Sequence, residues 1–145
     1  MNFKRGTYVP KHKDKYKGKT NPTFRSSYEL RFMKYCDRNA NVVQWASEPF
    51  SIRYYLPTDG KWRKYFPDFL TITRTKDGNL ETSLIEIKPA NQTKPPKKGN
   101  KKKSTILREH NDWIMNQSKW EAAQKYCNRQ GISFKIFTEK ELGIK

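Results

Sequence analysis

Acidic residues are scarce in this sequence: 14 aspartates and glutamates stand against 31 lysines and arginines, so the 145 residues carry a formal net charge of +17. An excess of one sign this large opposes compaction and is typical of proteins that bind a polyanion. A basic surface that only keeps the protein soluble is the alternative. The lysines cluster and are accompanied by eight tyrosines, eight phenylalanines and four tryptophans, which favours the polyanion and excludes general disorder.

Thiols and imidazoles, the usual ligands of a zinc site, are also few. The chain has two cysteines, two histidines and no Cys-x-x-Cys, which excludes a disulfide framework and a zinc site. Cys36 and Cys127 fall in predicted helices, and we expect buried free thiols in a reducing compartment. No apolar run approaches membrane-spanning length, and the N-terminus lacks the apolar core of a signal peptide. We therefore expect a soluble intracellular protein without a membrane partner.

The length predicts one domain, at residues 26–145, preceded by a basic arm at residues 1–25. Glycines and prolines interrupt the arm and break regular structure. We expect the arm to become ordered on a partner or against the domain surface. Its lysines are predicted to contact the polyanion: Lys11, Lys13, Lys15, Lys17 and Lys19.

Hydrophobic periodicity and capping signals divide the domain into elements. A first helix begins after Ser26, which forms a capping box with Glu29, and ends near residues 37–39. A second helix is capped by Ser104 and stops at Gly131. A final short helix opens at Thr138. Strands are predicted at residues 42–45, 50–56, 62–73, 80–88 and 132–137. This order predicts an α/β fold, with a mixed sheet flanked by helices.

The residues that carry chemistry lie on two strands of one predicted hairpin. Glu86 and Lys88 share a face because strand side chains alternate. Asp68 joins them only if the hairpin loop has three residues, 76–78, with Gly78 left-handed, because this loop sets Asp68 opposite Glu86. A two-residue Asp-Gly turn would set Asp68 opposite Ile87 and on the wrong face. A joint function therefore predicts the three-residue loop.

Two carboxylates beside a lysine are suited to hydrolysing a phosphodiester with a divalent cation. Mg²⁺ prefers carboxylate oxygens and neutralises charge on a phosphate. We expect Asp68 and Glu86 as ligands, together with the backbone carbonyl of Ile87. Lys88 would orient the attacking water or neutralise charge that develops on the phosphate. The alternative is a solvated strand end, which the apolar neighbours on both strands disfavour.

The pair Pro67–Asp68 followed by Glu86-x-Lys88 resembles the signature of the PD-(D/E)xK nucleases. The stretches RSSYEL at 25–30, WASEPF at 45–50 and KYFPDF at 64–69 follow the order seen in the transposase-associated endonucleases of that superfamily. The short chain, the lysine-rich loop and the FTEKEL ending at 137–142 more closely resemble the head-completion nucleases of tailed phages. Relatives of the transposase type often carry Gln in place of Glu86 and Glu48.

The resemblance implies a restriction-endonuclease-like core with a four-stranded mixed sheet, and cleavage or trimming of DNA. It implies Mg²⁺ as the cofactor, with Mn²⁺ as the alternative ion. It also implies that Glu29 matches the first-helix glutamate that completes such metal sites. The alternative is that Glu29 only closes its capping box, and both roles are compatible.

The loop at residues 89–103 is predicted to form a basic surface that contacts DNA. Residues 88–103 hold seven lysines without apolar periodicity. They would bind phosphates independently of base sequence and with strong salt dependence. The loop lysines assigned to DNA are Lys94, Lys97, Lys98, Lys101, Lys102 and Lys103. Trp45, Trp62, Tyr54 and Tyr55 are candidates for stacking on bases at a frayed end, with core packing the alternative for most of them.

Together these features predict a metal-dependent deoxyribonuclease that acts on DNA during phage head completion. Its partners would be DNA and phage head or portal proteins, with no small-molecule cofactor. It would work in the cytoplasm of the infected host cell, with association with the virion as a further expectation. Two alternatives stay open: a non-catalytic basic DNA-binding protein, and the nuclease subunit of a transposition complex.

Overall fold

The computed structural model describes residues 5–144, so the first four residues of the predicted arm and Lys145 lie outside the described part. The helices are α1 (Ser27–Arg38) and α2 (Lys103–Gln130), with a short 3-10 helix at Ala90–Thr93. The strands are β1 (Gly6–Thr7), β2 (Thr23–Phe24), β3 (Val42–Ser47), β4 (Ile52–Leu56), β5 (Lys61–Tyr65), β6 (Phe69–Arg74), β7 (Leu80–Ile87) and β8 (Ser133–Phe137). Within residues 5–144, no helix is long and apolar enough to cross a membrane.

The main sheet has four strands in the order β3-β6-β7-β8. Neighbours β3, β6 and β7 pair antiparallel, and β8 joins parallel to β7, so the sheet is mixed. Successive residues of β7 point to opposite faces of the sheet and join two different apolar clusters. Ile85 belongs to the cluster that contains Phe32 of α1, and Leu84 belongs to the cluster that contains Trp120 of α2. A mixed four-stranded sheet covered by helices is the predicted restriction-endonuclease-like core, and this prediction is confirmed.

The β6–β7 hairpin has the predicted three-residue loop. The Thr75 amide donates to the carbonyl of Asn79 at 2.8 Å, and the Gly78 amide donates to the carbonyl of Thr75 at 3.0 Å. Gly78 has φ of 85°, a conformation that favours glycine. The pairing runs from Arg74 with Leu80 to Phe69 with Ile85. One further step along this register sets Asp68 opposite Glu86, as the loop predicted.

Some predicted elements differ from the structure. The strand predicted at residues 62–73 is split into β5, which pairs with β4 in a separate two-stranded sheet, and β6. Buried Pro67 lies in the break, where its missing N–H cannot continue a ladder. Helix α2 begins at Lys103 rather than after Ser104, and its cap residue Lys102 makes no side-chain capping bond. The final helix predicted at Thr138 does not form: residues 139–143 make hydrogen-bonded turns, in which the Leu142 amide donates to the Thr138 carbonyl at 3.1 Å.

Other local predictions are confirmed. Ser26 caps α1 and accepts a hydrogen bond from the Glu29 amide, while Gly131 ends α2 in the left-handed conformation. Cys36 and Cys127 are buried free thiols. The basic loop contains the 3-10 helix at Ala90–Thr93, which was not predicted.

The described part of the arm packs on the domain through the buried carboxylate of Asp37. This carboxylate accepts hydrogen bonds from the Tyr8 hydroxyl at 2.6 Å and from the amides of Lys11 and His12 at 2.7 and 2.9 Å. Further along the arm, Tyr16 lies against Trp45, with ring centroids 4.6 Å apart. The arm therefore covers the outer edge of β3, an edge that would otherwise be free to pair.

The hydrogen bonds that Asp37 accepts affect its pKa more than its burial does. Burial alone would raise the pKa of this carboxyl, but the bonds from Tyr8, Lys11 and His12 lower it. The pKa of Tyr8 is raised to about 12, first by its burial and then by its hydrogen bond to Asp37. Docking of the arm thus depends on an ionised Asp37.

We predict that Asp37→Asn lowers the free energy of unfolding by about 1.5–3 kcal/mol at neutral pH, because hydrogen bonds to a charged acceptor become neutral ones. The contribution of Asp37 is complete above the unfolded pKa of about 3.9 and is lost as pH falls through the lower folded value. Urea denaturation measures the change. Asp14→Asn, at an exposed position of the arm, is the matched control. Equal stability of the two variants would contradict this account.

Candidate active site

The four predicted catalytic residues line one cleft. Its volume is about 540 Å³, and its walls are Arg5, Arg25, Ser26, Glu29, Asp68, Glu86, Ile87 and Lys88. Asp68 immediately precedes β6, and Glu86 is the penultimate residue of β7. Glu29 comes from the first turn of α1. The cleft therefore lies at the end of the sheet where the β6–β7 pair meets the start of α1.

Asp68 and Glu86 form a closely spaced pair of carboxylates. The Asp68 Oδ2 atom accepts a hydrogen bond of 2.7 Å from the Ile87 amide, which fixes the orientation of the side chain. Asp68 keeps partial solvent access through the cleft but is otherwise surrounded by protein. Burial and then the adjacent Glu86 charge raise the pKa of Asp68 well above its usual range. Two such groups need a proton or a cation between them.

Glu86 is held from the side of α2. It is 4% exposed, and its Oε2 atom accepts a hydrogen bond of 3.3 Å from Nε1 of Trp120. The buried hydroxyl of Tyr65 has no hydrogen-bond partner within 3.5 Å in the part of the chain that the structure describes. Burial, followed by the charges of Glu86 and Asp68, raises the pKa of Tyr65. Tyr65 is therefore a neutral phenol beside the carboxylate pair.

Two lysines approach these carboxylates from different elements. Lys88 follows β7, and its amide donates to the carbonyl of Phe137 at 3.0 Å. Lys119 projects from α2, with Nζ 5.7 Å from the centroid of the Tyr65 ring. Burial and the nearby charge of Lys88 lower the pKa of Lys119, while Glu86 and Asp68 oppose this change.

Lys119 is not among the site residues predicted from the sequence. A signal was present, because Lys119 directly precedes Trp120 on a helix in which Trp113, Trp120 and Cys127 recur every seven residues. A lysine at the border of such a face can reach over the sheet. Nothing in the local pattern, however, indicated that this part of the helix lies above Glu86.

Glu29 makes the capping contacts and also lines the cleft. Its amide donates to Oγ of Ser26 at 3.2 Å, and its Oε1 atom accepts a 3.4 Å hydrogen bond from the Arg25 amide. Burial raises the pKa of Glu29, against the opposing effect of Arg25. In residues 5–144, no three His, Cys, Asp or Glu side chains form a ready cluster for one metal ion. Glu29 therefore faces the pair without completing a three-carboxylate cluster.

Arg25 and Glu48 form a further pair at the cleft. The Arg25 guanidinium contacts the Glu48 carboxylate at 2.9 Å. The Glu48 amide donates to the backbone carbonyl of Asp68 at 2.9 Å, so the end of β3 helps to position Asp68. Glu48 has φ of 44°, which is rare for a residue other than glycine and is typical of functional regions.

The predicted DNA-contacting lysines differ in their surroundings. All six in the loop are exposed, although Lys101 pairs with Glu109 at 2.9 Å. Four in the arm are exposed, namely Lys11, Lys13, Lys17 and Lys19. Lys15 is half-buried instead, and its ammonium donates to the carbonyls of Asp37 and Asn39 at 3.1 and 2.8 Å. In the structure Lys15 therefore tethers the arm.

Similarity to known proteins shows the family to which this site belongs. A family model described as TnsA-like endonuclease N terminal matches residues 39–139. The chain belongs to the TnsA-like endonuclease family. It is also similar to the head completion nuclease of Enterobacteria phage T4, with 36% identity over 148 residues that cover 97% of this chain and 96% of that protein.

The two matches cover different sets of the residues that line the cleft. Asp68, Glu86 and Lys88 lie inside the residues matched by the TnsA-like family, as does Lys119. Glu29 and the arm lie outside this match, but the similarity to the phage protein extends over nearly the whole chain. The chain is therefore a nuclease of the TnsA-like family, with the PD-(D/E)xK pattern that the sequence predicted.

We predict that Asp68→Asn stabilises the metal-free protein by about 0.5–2 kcal/mol at pH 7, because one of two neighbouring charges is removed. The raised folded pKa means that stability linked to Asp68 is present below the unfolded pKa and is lost as pH rises through the folded value. Urea denaturation in EDTA measures the change. Asp59→Asn is the control, since Asp59 is paired with Arg63 instead. A destabilised Asp68→Asn variant would refute this interpretation.

Proposed function

We propose that this chain is a metal-dependent deoxyribonuclease that cuts or trims DNA during phage head completion. The observation that carries the proposal is the Asp68–Glu86 carboxylate pair, held by the Ile87 amide and Trp120 beneath a cleft that also contains Lys88. Such a pair is costly unless a cation binds it. The similarity to a head completion nuclease along nearly the full chain supports the biological setting.

The donor set fits a hard divalent cation. Asp68 Oδ2 accepts the hydrogen bond from the Ile87 amide, so the other carboxylate oxygen would be available to the ion. Asp68, Glu86 and the Ile87 carbonyl would hold Mg²⁺ or Mn²⁺, which prefer oxygen ligands, and Glu29 in the same cleft is the further predicted ligand. When bound, the ion supplies Lewis-acid polarisation of the phosphate and activation of water.

The chain's own residues then bind and orient the scissile phosphate. We assign Lys88, which lines the cleft, the role of holding the attacking water or a phosphate oxygen. Lys119 adds a second positive charge from α2, on the side of Glu86 where Tyr65 excludes water. Charges held in a partly desolvated site stabilise the developing phosphate charge more than they would in bulk water.

The exposed lysines of the loop and arm supply affinity for the DNA backbone. The loop begins directly after Lys88, so a duplex held by the loop passes close to the cleft. We retain the division into an arm at residues 1–25, a nuclease domain at 26–145 and a basic loop at 89–103 as part of this proposal. Phage head or portal proteins as partners, and the infected host cytoplasm as the location, follow from the same setting.

Both alternatives have less support. A protein that only coats DNA needs no buried carboxylate pair, and keeping one would lower its stability without a benefit. The subunit of a transposition complex is disfavoured by Glu at position 86, where relatives of that type often have Gln. A transposition subunit would need its partner protein, so nuclease activity of the purified chain alone would exclude this alternative.

We predict Mg²⁺-dependent cleavage of duplex DNA that EDTA abolishes and that Asp68→Ala or Lys88→Met lowers about 100-fold or more. Lys119→Met should also lower the cleavage rate. Lys125→Met, at an exposed position of the same helix, is the control. DNA binding in EDTA should persist in every variant. Cleavage that survives Asp68→Ala would disprove the assignment, and binding without any cleavage would favour the DNA-coating alternative.

We predict that replacing Lys97, Lys98 and Lys103 with Ala weakens DNA binding and flattens its salt dependence. Each lost phosphate contact should reduce the slope of log K against log salt by about 0.9 for duplex DNA. The control replaces three exposed lysines elsewhere, namely Lys34, Lys125 and Lys140. Cleavage at saturating DNA should be retained. Equal slopes for the two triple variants would exclude the loop as the DNA surface.

A further inference from the structure

The β4–β5 hairpin presents two faces with opposite character. Its inner face, which includes Ile52, Tyr54 and Tyr65, is buried against α2. Its outer face consists of two cross-strand pairs, Tyr55 opposite Trp62 and Arg53 opposite Lys64. All four outer side chains are aromatic or cationic, and we call them the outer face of the hairpin.

The aromatic rings of the outer face are accessible. Trp62 is 61% exposed and Tyr55 is 46% exposed. The two rings meet edge to face with centroids 5.6 Å apart, an arrangement that leaves ring faces open. The Arg53 guanidinium lies 5.2 Å from the Trp62 ring centroid. By contrast, Trp45 and Tyr54 are 1% and 3% exposed, which removes them as stacking candidates.

This composition matches what unpaired nucleotides require. Bases stack on aromatic rings whatever their sequence, and adjacent cations bind the backbone phosphates. Duplex DNA keeps its base faces buried in its own stack, so exposed rings add little to duplex binding. A second copy of the chain is disfavoured as the occupant, because this face is positive and the chain as a whole carries +17.

The hairpin also lies near the cleft along the chain. Only residues 66 and 67 separate β5 from Asp68, and Tyr65 at its end packs beside Glu86. At roughly 3.3 Å per residue, Trp62 lies at most about 20 Å from Asp68. This distance corresponds to about six stacked nucleotides at 3.4 Å each.

We propose that the outer face, Arg53, Tyr55, Trp62 and Lys64, binds unpaired nucleotides of the DNA substrate within about six nucleotides of the cleavage position. The inference rests on the proposed nuclease function and refines its substrate, which becomes DNA with a single-stranded end or flap. The arrangement selects for strand geometry and not for base sequence.

The test compares two labelled DNAs in EDTA, so that no cleavage intervenes: a blunt duplex and the same duplex with a single-stranded extension of about six nucleotides. The full chain should bind the extended DNA more tightly. Replacing both Tyr55 and Trp62 with Ala should weaken binding of extended DNA about 10-fold or more, and binding of blunt DNA less than about twofold. Trp62→Phe, which keeps a ring, should retain most of the preference.

Tyr35→Ala is the matched control, because Tyr35 is an aromatic of α1 that is 48% exposed. Equal affinity of the full chain for the two DNAs would overturn the proposal, as would an equal loss for both DNAs in the double variant. A dimer in sedimentation that Trp62→Ala dissociates would assign the face to a second copy instead. The binding assay is independent of cleavage, so a failure of the nuclease assignment and a failure of this inference are separately visible.

Discussion

The antiparallel register of β6 and β7 holds two carboxylates side by side at one end of the sheet. Asp68 stands opposite Glu86 because the loop has three residues and Gly78 adopts a left-handed conformation. A slip of one residue would turn Asp68 to the other face of the sheet and separate the pair. The cleft, its electrostatics and the proposed chemistry all follow from this register.

The surrounding elements secure the pair. The end of β3 binds the Asp68 backbone through Glu48, α1 contributes Glu29 from its capped first turn, and α2 contributes Trp120 and Lys119. Two adjacent buried carboxylates lower the stability of the metal-free protein, as is common where function demands an unfavourable arrangement. The strained backbone of Glu48 fits the same description. Stability is recovered away from the cleft, in the two apolar clusters and the docked arm.

The sequence predicted much of this arrangement because several of its signals are local. The Ser26 cap, the left-handed Gly78 and the alternation around Glu86 depend on neighbours within a few residues. Long-range features were missed. The break at Pro67 was hidden by continuous strand-like residues from 62 to 73, and it depends on β5 pairing with β4 in a different sheet. The positions of Lys119 over the Tyr65 ring and of Asp37 under the arm depend on packing between distant segments, which no local pattern reports.

The most direct test of the central claim is a crystal structure with Mn²⁺, located by its anomalous scattering. We expect a Mn²⁺ peak coordinated by the carboxylates of Asp68 and Glu86, with metal–oxygen distances near 2.1 Å, close to those of Mg²⁺. In crystals of Asp68→Asn prepared with Mn²⁺ in the same way, the peak should be absent or have much lower occupancy. A peak absent from this pair under conditions that support cleavage, or one held by Glu29 and Glu48 alone, would contradict the account.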